Sequence, residues 1–180
     1  TKHIVNWGAI TENNAFGFQH SNLDLWLYLH GGGSAEFDTT FNLVINTWYH
    51  IVATYDGTII RTYVDGVAYA TATTTTATTD SALYIGERMD GSYQFAGDFA
   101  QVAVYNTALS ASEVLTQYNL GINGDYSSDS GLVGYWKMDN ASTLTDLSSS
   151  GNNASVTNAT LVSNAVAIDS TSNQNHGALL

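Results

Sequence analysis

The chain has no cysteine, so no disulfide framework organises it. None is needed: a chain of 180 residues buries about two-thirds of the surface it exposes when unfolded. Because secreted and cytosolic cores of this size both manage without disulfides, the redox compartment stays open. Lysine and arginine together number four against sixteen acidic residues, a formal charge of −12. Nucleic acid and anionic membrane surfaces are bound by clustered basic side chains, so the composition argues against both partners. No apolar run reaches the length of a bilayer span, and membrane insertion is not expected. Strings of the P-loop, GxSxG and HExxH types are missing as well. Glu12, Glu36, Glu87 and Glu113 are each isolated, whereas sandwich glycosidases set two carboxyls on one strand face; no catalytic residue is assigned. Only 11% of residues are charged, which leaves a polar surface of Thr, Ser, Asn and Gly with an acidic tint, common on exported proteins. Thr1 in place of Met leads to the expectation of an upstream segment removed by processing or trimming.

What is present centres on residues 46–66, NTWYHIVATYDGTIIRTYVDG. Two runs of β-branched and aromatic residues, 47–55 and 58–64, each close on Asp-Gly, at Asp56-Gly57 and Asp65-Gly66. Asp-Gly between extended segments is a strong hairpin signal, because a type I′ turn needs positive φ at both central residues. In the first run Trp48, His50 and Val52 share one face and Tyr49, Ile51, Ala53 and Tyr55 the other, the pattern of a central strand.

Strands are expected at 3–7, 15–20, 23–29, 35–43, 67–73 and 81–86, and a last long pair contains FAGDFAQVAVYN. Within 23–29, Leu23, Leu25, Leu27 and Leu29 point one way and Asp24, Trp26 and Tyr28 the other. Thr-rich 71–79 is low in complexity and reads as an exposed strand end and loop. A helix is expected at 110–119, opened by the capping box Ser110 and Glu113, striped by Val114, Leu115 and Tyr118, and ended at Gly121.

TWYHIVATYDGTIIRTYVDG at 47–66, LYIG at 83–86 and FAGDFAQVAVYNTALSASEVLTQYN at 95–119 together resemble the laminin G-like, concanavalin A-like jelly-roll domains of bacterial and phage extracellular proteins. The resemblance covers residues 1–120 and implies an all-β antiparallel sandwich with one short helix. It also makes GLVGYWKMDN at 131–140 look like the opening of such a module, although the chain itself starts further in. The tail carries the opening loop twice, as DLSSSGNNASV at 146–156 and DSTSNQNHGAL at 169–179. The expected organisation is a body over 1–121 without its opening strands, a polar spacer over 122–130, and a segment over 131–180 that resembles those strands. That segment, with Leu132, Val133, Tyr135, Trp136 and Met138 as its assembly residues, either completes its own body, is donated head-to-tail to another copy, or begins a truncated neighbouring module.

The resemblance implies calcium as the usual ion, held by carboxylates and carbonyls. Phe99-Ala100-Gln101-Val102 stands where the family often has carboxylates, which leaves Asp98 and Asp139 as candidates, beside the blander reading of solvated turn residues. A glycan would stack on a flat aromatic, and Trp26, Tyr28, Tyr93 and Trp7, with Asp90, are the candidates, each weighed against ordinary core packing. His50 is expected to be a packed, hydrogen-bonded sheet residue. Asn140, Asn153 and Asn158 head glycosylation sequons, meaningful only in a glycosylating source. The expected role is a non-catalytic surface or appendage module for adhesion or assembly, outside the cell or on a cell or virion surface. Its partners would be further copies or neighbouring modules, and glycans. The alternatives are the carbohydrate-binding accessory module of a secreted enzyme and, more remotely, a sandwich glycosidase.

Overall fold

The computed structural model describes residues 1–8, 15–30, 34–73, 82–140, 143–157 and 159–160, with the main chain alone for 29–30 and 34–37. Its elements are β1 (Lys2–Trp7), β2 (Ala15–Ser21), β3 (Asp24–His30), β4 (Ser34–Asn42), β5 (Ile51–Tyr55), β6 (Ile59–Val64), β7 (Val67–Thr73), β8 (Leu83–Ile85), β9 (Gln101–Tyr105), α1 (Ala111–Leu120), β10 (Leu132–Lys137), β11 (Thr143–Leu144) and β12 (Ala154–Ser155). This is the antiparallel all-β architecture with one helix that the resemblance implies. The chain divides into two compact units. One comprises Thr1–Thr47, Ala53–Thr62 and Tyr69–Gly97; the other comprises Trp48–Val52, Tyr63–Ala68 and Asp98–Leu180.

In the first unit, five strands pair in the order β4-β3-β2-β1-β8. The β2–β3 hairpin closes on the pair Ser21 and Asp24, with Asn22 and Leu23 both at positive φ, 51° and 73°. Leu23 is therefore a turn residue and not the first apolar residue of the strand. Positive φ is costly for a leucine, and a hydrophobic alternation cannot reveal it. Leu25 and Leu27 are fully buried on one face with Phe18 and Val5, which follow each other across β3, β2 and β1.

The opposite face is buried too, and it is polar. Tyr28 is 1% exposed and its hydroxyl donates to Asn6 Oδ1 at 2.5 Å, while His3 Nδ1 lies 3.2 Å from Tyr28 Oη. Gly17, between Asn6 and Tyr28 in the register, makes that reach possible. A Cβ there would sit 2.0 Å from Val5 O and 2.4 Å from Tyr28 Oη.

Strands β5, β6 and β7 form a three-stranded sheet. Its two turns differ. Asp65 and Gly66 both take positive φ, 52° and 76°, as a type I′ turn requires. At the other turn Gly57 alone does so, at 95°. Asp56 closes that turn through its own carboxylate, with Oδ1 accepting from the amides of Thr58 and Ile59, and so Gly57 and Thr58 are the central pair.

In the second unit, His50 and Asp65 are hooked together. The His50 amide donates to Asp65 Oδ1 and the Asp65 amide to the His50 carbonyl, both at 2.8 Å. The His50 ring, expected to be hydrogen-bonded, is fully buried with neither nitrogen partnered among the described residues. It leans on Tyr118 of α1, ring centroids 6.1 Å apart. Helix α1 opens with the full capping box and ends where the Gly121 amide returns to the Tyr118 carbonyl. Val114 packs with Val52, Tyr63 and Leu109. Gln117 takes the buried place expected for Leu115, which is exposed, because the Gln117 amide donates to both Tyr105 Oη and Asp129 Oδ2. A second cluster joins Tyr126, Leu132 and Tyr135 with Ala103 and Tyr105.

Candidate functional site

Two places gather polar side chains into defined geometry. The first is the turn at 88–93. The Gly91 amide donates to the Arg88 carbonyl and the Arg88 amide to the Ser92 carbonyl, and Gly91 supplies φ 74°. Arg88 grips Asp90 with two nitrogens, Nε to Oδ1 at 3.0 Å and Nη2 to Oδ2, and the Ser92 amide also donates to Asp90. The Arg88 side chain, then the Ser92 hydroxyl and amide, hold the Asp90 carboxyl well below the usual carboxylate range.

Arg88 lies over the Tyr93 ring, 4.5 Å from its centroid. Tyr93 is 46% exposed and sits at φ 55°, a costly conformation for an aromatic residue. Its carbonyl accepts from the His3 amide at 2.8 Å and its ring leans on His3. The result is a half-exposed aromatic ring with contacts from both Arg88 and His3.

Asp90 and Tyr93, both sequence candidates, lie in one turn and each meets Arg88. Tyr28 is not with them at the surface. Burial drives its hydroxyl pKa far up, and the group is spent on Asn6, so the reading of Tyr28 as a ligand contact is corrected to a core residue. Trp26 is half-buried, and its Nε1 is buried with no partner among the described residues.

The second place is the outer edge of β10. On its inner side β10 pairs with β9, Leu132 opposite Tyr105, Tyr135 opposite Ala103 and Trp136 opposite Val102, with a bulge between Leu132 and Gly134. On its outer side no strand is paired among the described residues. Loop 146–152 occupies that edge instead. Asp146 Oδ1 accepts from the Tyr135 amide at 2.9 Å, the Leu147 amide donates to the Tyr135 carbonyl at 2.8 Å, and Asn152 Nδ2 donates to the Val133 carbonyl at 3.0 Å. Trp136 Nε1 donates to the Asn152 carbonyl at 2.9 Å.

Asp146 is itself 6% exposed and also accepts from the amides of Ser148 and Asn152 and from the Ser148 hydroxyl. Burial pushes its pKa up, but these donors outweigh it and hold the carboxyl below the ordinary value. Sequence reasoning marked this loop only as a repeat and missed Asp146 and Asn152. The available signal was that Asp, a hydroxyl residue and Asn recur at the same spacing in both copies.

Met138 continues the β9–β10 ladder, its amide donating to the Ala100 carbonyl, and so Asp98 and Asp139 fall at the same end of that strand pair. Both are exposed. Asp139 shares a polar cleft of about 360 Å³ with Lys137, Asn140, Thr143, Thr145 and Leu147. Among the described residues no three His, Cys, Asp or Glu side chains converge on a point. Two exposed carboxylates fall short of the six to eight oxygens calcium takes, and the described residues do not fit that ion. Asn140 and Asn153 are exposed; Asn158 and the second loop copy at 169–179 lie outside the described residues.

Residues 3–115 match the sequence family described as the concanavalin A-like lectin/glucanases superfamily, of the laminin G type. No curated protein matches the chain. Among solved structures it is similar to a Bacteroides ovatus protein named a "putative carbohydrate binding protein", at 21% identity and a TM-score of 0.62, over 88% of this chain and 47% of that one. It is also similar to residues 221–444 of an S-layer domain-containing protein from Clostridium thermocellum, at 18% identity and a TM-score of 0.36, over 62% of this chain and 59% of that one. The chain therefore spans about half the length of the first of these structures. The matched family takes in the β1–β9 core and the start of α1, more than half of the chain, and the protein belongs to the concanavalin A-like lectin/glucanases superfamily.

Proposed function

We propose that this protein is a non-catalytic surface module, working outside the cell, that binds carbohydrate on the 88–93 turn. The observation that carries the reading is the Tyr93 ring, half-exposed at the surface, with Arg88 over it and His3 leaning against it. Sugar CH faces stack on such rings, and an aromatic fixed in advance loses little conformational entropy on binding. Asp90, oriented by Arg88, offers acceptor lone pairs beside the ring. The name of the Bacteroides ovatus protein is in keeping with this reading. An adhesive role and an accessory role beside a catalytic module would use the same face.

For the tail, we infer that 131–160 completes its own body. What supports this is the β9–β10 ladder and the burial of Tyr135 and Trp136. Filament growth by donation would require β10 to leave β9 first. Glycan-array binding tests the carbohydrate reading: wild type should bind at least one glycan class and Tyr93→Ala should lose at least tenfold in affinity, whereas no binding to any glycan would overturn it.

A further inference from the structure

Residues 87–93 carry two carboxylates, Glu87 and Asp90, against one guanidinium, Arg88. The ion pair among them leans towards water on its negative side: the Asp90 side chain is 50% exposed and the Arg88 side chain 27%. Asp90 Oδ1 accepts from three donors, Arg88 Nε, the Ser92 amide and the Ser92 hydroxyl, whereas Oδ2 meets Arg88 Nη2 alone among the described residues. Oδ2 therefore keeps a lone pair for an outside donor, and an ionised carboxylate offers nothing but acceptors. The tip of the turn beside it is clear. A Cβ on Gly91 would meet no atom within 4 Å apart from its two chain neighbours.

We propose, resting on the carbohydrate reading of this turn, that Asp90 selects the ligand by charge: the turn takes neutral or amine-bearing sugars and rejects carboxylated and sulfated ones. A neutral sugar seated against Tyr93 brings hydroxyl donors to Oδ2. An amine-bearing sugar brings an ammonium, a stronger partner for a carboxylate. A uronic, sialic or sulfated sugar brings a second anion to the same place, and like charges set together are how an interface turns away a wrong partner. Arg88, the one basic residue in 87–93, is already balanced by Asp90, so an added anion there is left without a counter-charge. The field of the whole chain acts in the same direction, with a formal charge of −12.

A glycan array read with the full wild-type chain and two variants tests this. Wild type should bind neutral or amine-bearing glycans, and carboxylated or sulfated derivatives of each bound sugar should bind at least about tenfold more weakly, a gap that narrows as salt is raised. Asp90→Asn keeps the shape and removes the charge, leaving Arg88 unbalanced, and should close that gap or reverse it. Arg88→Gln should widen the gap, with amine-bearing glycans gaining, and it poses the same question if Asp90→Asn does not fold. An acidic glycan bound as tightly as its neutral parent, or a gap that neither variant moves, overturns the selection by charge and leaves the carbohydrate reading standing. No binding to any glycan overturns that reading itself, and the selection with it.

Discussion

Asp146 and His50 are both ionisable side chains taken out of water, one on the edge of β10 and one under α1. Their surroundings treat them in opposite ways. Around Asp146 three amides and a hydroxyl point at the carboxylate, so it keeps its charge despite being buried. Around His50 no donor or acceptor meets the ring among the described residues, and burial lowers its pKa to about 4. A buried charge must be matched by fixed dipoles, whereas a neutral imidazole can be left to packing if the pH allows it. The carboxylate therefore fastens a loop to a strand, and the imidazole fills space between β5 and the helix.

The largest way to break that contrast is to remove what the Asp146 loop closes over. Trp136→Ala deletes a buried indole and its bond to the Asn152 carbonyl, and should cost about 3–5 kcal/mol in denaturant unfolding. Next comes pH. The folded pKa of His50 lies below its unfolded value of 6.5, so the unfolded state takes up the proton first and stability is lost as pH falls from 6.5 towards 4, by about 3 kcal/mol in all. Asp146 also has a lowered folded pKa, but its contribution is intact above the ordinary carboxylate range and is lost only as pH falls through the folded value, below 3.8. Urea titrations between pH 7 and 4 should therefore show mainly the His50 loss, with a smaller part from His20, whose pKa burial also lowers, and His50→Leu should remove most of it; an unchanged slope in the variant would assign the proton elsewhere. The smallest effect sharpens the helix side of the comparison. Ser110→Ala removes the cap of the helix whose Tyr118 faces His50 and should cost about 1 kcal/mol.

Much of the His50 region was legible in the sequence, because its signals are local. The Asp65-Gly66 turn, the Ser110 and Glu113 box and the Gly121 stop are each set by neighbours within a few residues. Leu23 was misread for the same reason in reverse: its turn is fixed by the pairing of Ser21 with Asp24, which no alternation of leucines records. Tyr28, which alternates with leucines, left both a ligand contact and ordinary core packing open; β3 is buried on both faces where Leu27 and Tyr28 sit, and that decides for packing. The Asp146 site was hidden more deeply. An Asp among serines reads as a solvated loop until a strand eleven residues earlier is seen to have no paired strand on that side among the described residues. At the 88–93 turn the residue types were legible, but not the positive φ that fixes the Tyr93 ring.

The missing side chain at Gly17 has a mechanical consequence for the first sheet. Through that gap a phenol on β3 reaches past β2 to fasten onto β1, a crossbolt through three strands. Sliding β2 by one residue either way would bring Phe16 or Phe18 into the hole, and the bolt could not pass. Alignment of those strands is thereby fixed by a single absent methyl group, independently of how strongly their ladders hold.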